Sequence, residues 1–189
     1  MKRLCKLLLS APISCMVLLS SFAFGQYHGG EKITFEGVSL GMVFDLPTCS
    51  ATNENTATSC QIFLGEERVK DHTLQNYRVQ LGTQVDDHLS STKYISVGTI
   101  NGKIAQITIL TAGLPQQEEI WNTLQQRLGD PSDNFTVSEQ DTQKLFPHIT
   151  AGSIMTIWVT RDGEISFTGE ISPEGYGIIT MHAAELLAK

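Results

Sequence analysis

The strongest structural signal in the sequence is the run 93-KYISVGTINGKIAQITIL-110. Two segments rich in β-branched residues flank the dipeptide Asn101-Gly102. A two-residue hairpin turn needs positive φ at both central positions, and asparagine and glycine meet that need at the lowest cost. The run therefore predicts a tight antiparallel hairpin.

A two-residue turn at Asn101-Gly102 also fixes the expected register of this hairpin. The expected cross-strand pairs are Tyr94 with Ile109, Ser96 with Ile107 and Gly98 with Ala105. One face would then carry the side chains of Tyr94, Ile100, Ala105, Ile107 and Ile109. The pair of small residues would leave a shallow spot, where a helix could approach the sheet closely.

A helix is expected at residues 115–128, directly after the hairpin. Pro115 suits the first turn, and Arg127 complements the negative end of the helix dipole. Gly129 and Pro131 end the helix. Apolar side chains at helical spacing form one stripe, which consists of Ile120, Trp121, Leu124 and Leu128.

The remaining pattern favours short strands. A second hairpin is expected around Asp162-Gly163, with Trp158 opposite Phe167. Further expected elements are strands at 33–35, 61–64, 77–81 and 178–181 and a short helix at 183–187. The stretches 65–76 and 130–152 are polar and show no strand period. We therefore expect an α+β fold for residues 26–189, a two-layer domain in which an antiparallel sheet of hairpins carries one main helix on one face.

The first 25 residues have the composition of a cleaved secretory signal peptide. A basic start, with lysine or arginine at positions 2, 3 and 6, precedes an apolar run that ends in small residues at Gly25. The run is short for a membrane span, and Pro12 interrupts it. Cys15 could mark a lipoprotein, but Pro12 stands where that signal requires an aliphatic residue. We expect periplasmic export with cleavage after Gly25 and no membrane span.

The charge of the chain narrows the choice of partners. The formal net charge is −7, and the leader contains only basic charges, so the exported part is more acidic still. A protein that binds nucleic acid would present a basic stripe to the phosphates, and this class is excluded. Acidity either keeps the protein dissolved or attracts a basic partner, such as another exported or envelope protein.

Two cysteines follow the leader, Cys49 and Cys60. The ten residues between them include no large apolar side chain, so burial cannot fix this loop. A disulfide would stabilise the fold by roughly 2–3 kcal/mol in the chain-entropy model. A zinc site would need two more ligands nearby, and a redox pair would favour closer spacing. The spacing predicts a structural disulfide.

The loop between these cysteines is a candidate binding element. A ring that is closed in advance loses less entropy on docking than a free loop does. The alternative is that the loop is only a connection between strands. The candidate partner-binding residues are Ser50, Asn53, Glu54, Asn55 and Ser59.

The sequence shows no pattern of a catalytic or cofactor site. The histidines with neighbouring carboxylates are His72 and His88, which follow Asp71 and the pair 86–87. These segments could hold a divalent metal, but solvated turns are the commoner outcome for such runs. Trp121, Trp158 and Phe167 could form an aromatic platform, although their positions favour core packing. We expect no cofactor, no metal and no enzymatic activity.

Two short motifs resemble a known group of exported bacterial domains. The run 37-GVSLGM-42 resembles the Gly-Met turn that opens BamE-like and β-lactamase-inhibitor-like domains. The run 128-LGDP-131 resembles the Leu-Gly-x-Pro helix end of the same units. Pro47 shortens the first helix of that pattern, and the lipid-bearing cysteine of BamE lipoproteins is not matched. The resemblance implies a fold that binds other proteins.

These observations predict a non-catalytic periplasmic protein-binding module with a role in cell-envelope assembly or maintenance. One alternative is an inhibitor or immunity protein that blocks a secreted hydrolase or toxin with the loop. A second alternative is a small-ligand carrier, which would need an apolar cavity between the helix and the sheet.

Overall fold

The computed structural model describes residues 34–35, 37–49, 58–83 and 89–187. Eight strands dominate these residues: β1 (Cys60–Val69), β2 (His72–Gln80), β3 (Tyr94–Ile100), β4 (Lys103–Thr111), β5 (Asp133–Thr136), β6 (Ile154–Val159), β7 (Gly163–Ile171) and β8 (Tyr176–Ala183). The helices are α1 (Gln117–Leu128), α2 (Glu139–Lys144) and α3 (Ala184–Leu187), and a 3-10 turn (Leu114–Gln116) precedes α1.

All eight strands belong to one antiparallel sheet, in the order β1-β2-β3-β4-β8-β7-β6-β5. The predicted α+β fold, two layers with one main helix packed on a face of the sheet, is wrong. The protein is mostly antiparallel sheet, and α1 is the one helix among the described residues that exceeds six residues. Most connections are hairpins, and β8 returns to the middle of the sheet beside β4.

Two segments that lack a strand period nevertheless form strands, and this explains the error. Residues 65–76 belong mostly to the β1–β2 hairpin, and β5 lies within the polar stretch 130–152. A strand shows apolar and polar alternation only where one face is buried. Most of β1 and all of β5 are solvent-exposed, so neither strand shows that alternation.

The first hairpin forms where the sequence predicts it, but with a different register. Both turn residues have positive φ, 51° at Asn101 and 72° at Gly102. Thr99 then pairs with Ile104, and Gly98 pairs with Gln106, so Ala105 is an extra residue in β4. This β-bulge shifts the remaining pairs by one position, and a one-residue shift reverses the faces.

The bulge corrects two expectations about side chains. Ile107 lies opposite Val97 in the core, whereas Tyr94 projects from the other face and is exposed. The space at Gly98 is filled by the side chain of Leu74, which would lie 3.0 Å from an added Cβ. A side chain of β2, and not a helix, occupies the predicted shallow spot.

The second hairpin turns one residue earlier than expected. The amide of Thr160 donates to the Gly163 carbonyl at 2.7 Å, and Trp158 pairs with Ile165 instead of Phe167. A shift of two residues preserves the faces, so the aromatic side chains still point into the core. Trp158 and Phe167 are buried, as their predicted role in core packing requires.

The main core lies against one face of the sheet, and a smaller buried cluster consists of Leu74, Ile100, Ala105 and Ala183. Helix α1 occupies the predicted position, and its buried side chains, Ile120 and Leu124, belong to this core. Trp121 is half-buried and donates its indole N–H to the Thr156 hydroxyl at 3.1 Å. The inward-facing residues of β3, β4, β7 and β8 form most of the rest of the core. The described part of the chain contains no helix long and apolar enough to span a bilayer.

Candidate interaction surface at the first edge of the sheet

The disulfide joins Cys49 to Cys60, as the sequence predicts. It holds residues 47–49 against the start of β1, where the Gln61 amide donates to the Pro47 carbonyl at 2.8 Å. The Cys49 amide donates to the Gln61 carbonyl at 2.9 Å. The crosslink therefore fixes the point at which the chain reaches the outer side of β1.

The predicted binding loop is described only at its ends. Ser50, Asn53, Glu54 and Asn55 lie outside the described residues. The Ser59 hydroxyl accepts a hydrogen bond from the Gly82 amide at 3.1 Å, so this residue ties the loop end to the end of β2. Ser59 therefore has a structural contact, and the binding role of the loop stays a prediction.

The outer side of β1 is open beyond Gln61. β1 is the first strand in the order of the sheet, and among the described residues only 47–49 pair with its outer side. Alternate residues between 62 and 69 therefore present a row of outward backbone donors and acceptors that no described residue uses. Unpaired edge groups of this kind can pair with the backbone of another chain.

The open part of β1 starts with three exposed apolar residues. Relative exposure is 39% for Ile62, 53% for Phe63 and 53% for Leu64. Leu64 is the extra residue of a β-bulge between Phe63 and Gly65. The three side chains form what we call the edge patch, residues 62–64.

An aromatic row connects the edge patch to the covered face of the sheet. The ring centroids of Phe63 and Tyr77 lie 5.4 Å apart, and those of Tyr77 and Phe44 lie 4.7 Å apart. Both pairs are tilted, and tilted aromatic pairs stabilise one another beyond simple burial. One side of the Phe63 ring is thus fixed against Tyr77, whereas about half of its surface remains available for a partner.

The face of the sheet opposite the core contains a depression of about 530 Å³ beside β1. Residues 64–67 form its rim on β1, and Asn76, Ser96, Gln106 and Thr108 are among the lining residues of β2–β4. Asn76 pairs with Gly98 and Gly98 pairs with Gln106, so these residues share the outer face. Polar and apolar groups line the depression in similar measure, and it is open to solvent.

The predicted metal candidates are not brought together in the described part of the chain. His72 is the first residue of β2 and follows the turn that includes Asp71, whereas residues 86–88 lie outside the described residues. No group of three or more histidine, cysteine or acidic side chains with metal-binding geometry occurs among the described residues.

One histidine in the middle of the sheet has a shifted pKa. Burial lowers the pKa of His182 on β8, and Glu164, its cross-strand neighbour on β7, opposes part of that shift. His182 pairs with Gln106 on its other side. This histidine favours the neutral state in the folded protein.

The edge patch is visible in the sequence as a run of consecutive apolar residues, although no binding role is predicted for it there. The run 61-QIFL-64 is predicted to be a strand, but its three consecutive apolar residues occupy both faces of that strand. After Gly65, the charged residues 66–68 follow in the same strand. Consecutive apolar residues followed by charges on both faces are typical of an edge strand with an exposed apolar end.

Comparison of the chain with protein-family models, curated proteins and solved structures finds no match in any of the three. The resemblance of residues 37–42 and 128–131 to BamE-like domains therefore stays a prediction.

Proposed function

We propose that this chain is an exported, non-catalytic protein-binding module that binds its partner at the outer edge of β1. The observation that carries the proposal is the edge of residues 62–69, which no described residue covers and which starts with three exposed apolar side chains. Soluble proteins usually protect such an edge with charges, bulges, a cover or a very short strand, and on β1 the charges begin at Glu66, beyond the apolar residues. A long open edge with an apolar patch favours interaction with another protein.

The disulfide supports the location. Disulfides persist in oxidising compartments and are rare in the reducing cytosol. The bond between Cys49 and Cys60 is therefore compatible with export to the periplasm, for which the first 25 residues carry the expected signal. It also keeps residues 47–49 clear of the rest of the edge, because it fixes them at Gln61.

Two classes of partner fit this proposal. An envelope-assembly component would bind reversibly and leave hydrolases active, and this is the function that we propose. An inhibitor or immunity protein would use the same edge, with the predicted loop next to it, to block one enzyme. Tight binding that abolishes the turnover of a purified enzyme would favour the second class.

The proposal is tested by photo-crosslinking in cells that export the protein. A photoreactive amino acid replaces Leu64 in one variant and Phe135 of β5 in a matched control variant, since both positions are exposed on edge strands. We expect a discrete adduct with an exported protein from position 64 and none from position 135. The captured protein should then bind the purified chain, and Phe63→Lys should weaken that binding at least tenfold.

Three outcomes would contradict the proposal. The first is the absence of an adduct at position 64, and the second is the same set of adducts at both positions. The third is unchanged affinity for the captured protein after Phe63→Lys in a variant that retains the wild-type thermal stability.

A further inference from the structure

We propose that the partner contributes an extended segment, which pairs with β1 as a ninth strand and places a lysine or arginine side chain over the depression beside β1. This inference rests on the proposed function and specifies the chemistry of its partner. Strand addition obtains its affinity from backbone hydrogen bonds and its specificity from sites for alternate side chains. The first edge of this sheet offers both components.

The backbone component follows from the register of β1. The amide and carbonyl of Gln61 point away from β2, because they bond to residues 47 and 49. Alternate residues of an antiparallel strand point the same way. Phe63, Glu66 and Arg68 keep that orientation, since they pair with the alternate residues Tyr77, Gln75 and Thr73 across the bulge. These three residues therefore present outward amides and carbonyls to a ninth strand.

The side-chain component is the depression beside β1, which is accessible from the edge. Gly65 lies between the edge and the depression and carries no side chain, and an added Cβ would meet no atom within 4 Å. Neighbouring strands are about 4.8 Å apart, so β2 lies about 10 Å from a ninth strand. Only a long side chain from that strand can reach past Gly65 toward Asn76.

The charge around the depression selects a cation. Residues 66 and 67 both line the depression, but of the two side chains it is that of Glu67 that projects on its face, because Glu66 pairs with Gln75 on the face of Tyr77. Neither carboxylate has an ion-pair partner among the described residues. Glu66 accepts a hydrogen bond from the Gln75 amide group at 3.0 Å, which leaves its charge uncompensated. The lining itself contains no lysine or arginine. Arg78 on the same face is turned toward the ring of Tyr94, 5.7 Å from its centroid.

The same charges disfavour a second copy of this chain as the partner. Two copies that pair symmetrically near the middle of residues 62–69 would have their two-fold axis at Glu66 or Glu67, because residues directly opposite each other in an antiparallel pair point to the same face. Two copies of the same carboxylate would then lie directly opposite each other, and like charges at such positions are destabilising. An axis closer to Phe63 is blocked, because residues 47–49 already occupy the edge at Gln61.

The proposal is tested by selection of linear eight-residue peptides from a phage-displayed random library on the purified protein. The double variant Glu66→Lys/Glu67→Lys serves as the counter-selection. We expect the enriched peptides to alternate apolar residues with lysine or arginine. The double variant Glu66→Gln/Glu67→Gln should bind the best peptide about tenfold more weakly, which corresponds to about 1.4 kcal/mol. The matched control Glu118→Gln/Glu119→Gln, an exposed carboxylate pair on α1, should leave the affinity unchanged.

Strand pairing itself is tested by N-methylation of the selected peptide. Methyl groups on the set of alternate amides that faces β1 should abolish binding, whereas methyl groups on the other set should be tolerated. Equal effects of the two sets would overturn strand addition. Enrichment of peptides without basic residues, or equal binding to the wild type and the Glu66→Gln/Glu67→Gln variant, would overturn the proposed cation site.

The outcomes also separate this inference from the proposed function. A discrete adduct at position 64 together with no enriched peptide would mean that the edge binds a folded surface, so the ninth-strand inference would fail and the proposed function would stand. The absence of both results would contradict both proposals.

Discussion

β1 and β5 are the two edge strands of the same sheet, and they differ in length, composition and covalent support. β5 has four residues, begins with Asp133 and, within the described part of the chain, pairs with β6 alone. β1 has ten residues, exposes apolar side chains at 62–64 and starts at a disulfide. Short polar edges resist pairing with other chains, whereas long apolar edges favour it. Among the described residues, the first edge is thus long and apolar at its start, whereas the last edge is short, and this difference underlies the proposed binding surface.

Local contacts around β5 support this distinction. The Thr156 hydroxyl on β6 donates to the Asn134 side chain at 3.0 Å, and the ring of Phe135 lies 5.7 Å from that of Phe146. Helix α2 follows with a capping box in which Asp141 accepts hydrogen bonds from Ser138, and these bonds lower the pKa of that carboxyl. Asn134 and Phe135 thus contact β6 and the segment after α2, although all four residues of β5 are exposed.

Replacement of a phenylalanine by alanine should lower the free energy of unfolding far more in the core than at the first edge, and this is the largest difference that we expect. Phe167→Ala removes a side chain that is 1% exposed, and we expect a loss of about 3–5 kcal/mol in the free energy of unfolding. Phe63→Ala removes one that is about half-exposed and should cost less than about 1 kcal/mol. Chemical denaturation measures both values. Comparable losses would mean that Phe63 is a structural residue and not a binding residue.

Removal of the disulfide should produce the next largest effect. The bond closes a ring with a sequence separation of 11, so Cys49→Ser/Cys60→Ser should lower the free energy of unfolding by about 2–3 kcal/mol. It should also release residues 47–49 and extend the open edge to Gln61. Denaturation with and without reductant checks this, because a reductant should destabilise the wild type and leave the double variant unchanged. A wild type that is insensitive to reductant would contradict the prediction.

Charges introduced at the two edges should separate binding from folding. Leu64→Lys on β1 should weaken partner binding at least tenfold, about 1.4 kcal/mol, because it places a cation in the edge patch. Phe135→Lys on β5 is the control and should change the affinity less than about twofold. Both side chains are exposed, so the thermal stability of each variant should stay close to that of the wild type. A loss of binding in the β5 variant would remove the proposed distinction between the edges.

Protonation of His182, in the middle of the sheet, should lower the stability of the fold and leave the structure of the first edge unchanged. The folded pKa of His182 is lowered, so the folded protein binds its proton less readily than the unfolded chain does. The resulting stability is present above the unfolded pKa of about 6.5 and is lost as the pH falls through the folded pKa. His182→Gln should therefore reduce the loss of stability below about pH 6.5. Denaturation at several pH values measures this, and an identical pH profile in the variant would contradict it.

The sequence predicts the buried half of the fold better than the exposed half. The Asn101-Gly102 turn, helix α1 and the Cys49–Cys60 disulfide are all found as expected. Each depends on local chemistry, such as turn geometry, helical spacing or the number of cysteines. The bulge at Ala105 is not visible in the sequence, because it results from the fit of β3 and β4 to the rest of the sheet.

The candidate surface is harder to predict for the same physical reason. Charged residues such as Glu66, Glu67 and Arg68 suppress the alternation that marks a strand, since both of their faces meet solvent. The sequence therefore predicts binding at the loop between the cysteines, whereas the proposed surface lies on the strand that follows. Only the register of β1 shows which of its backbone groups face outward.

Amide hydrogen exchange of the free protein tests the openness of the first edge most directly. The amides of Phe63, Glu66 and Arg68 should exchange rapidly, the amide of Gln61 should exchange more slowly because it bonds to residue 47, and the amides of β2 should exchange slowest. Addition of the partner should slow exchange at Phe63 and Glu66. Protection of those two amides in the free protein at the level of Tyr77 would show that the edge is already covered and would contradict the proposed binding surface.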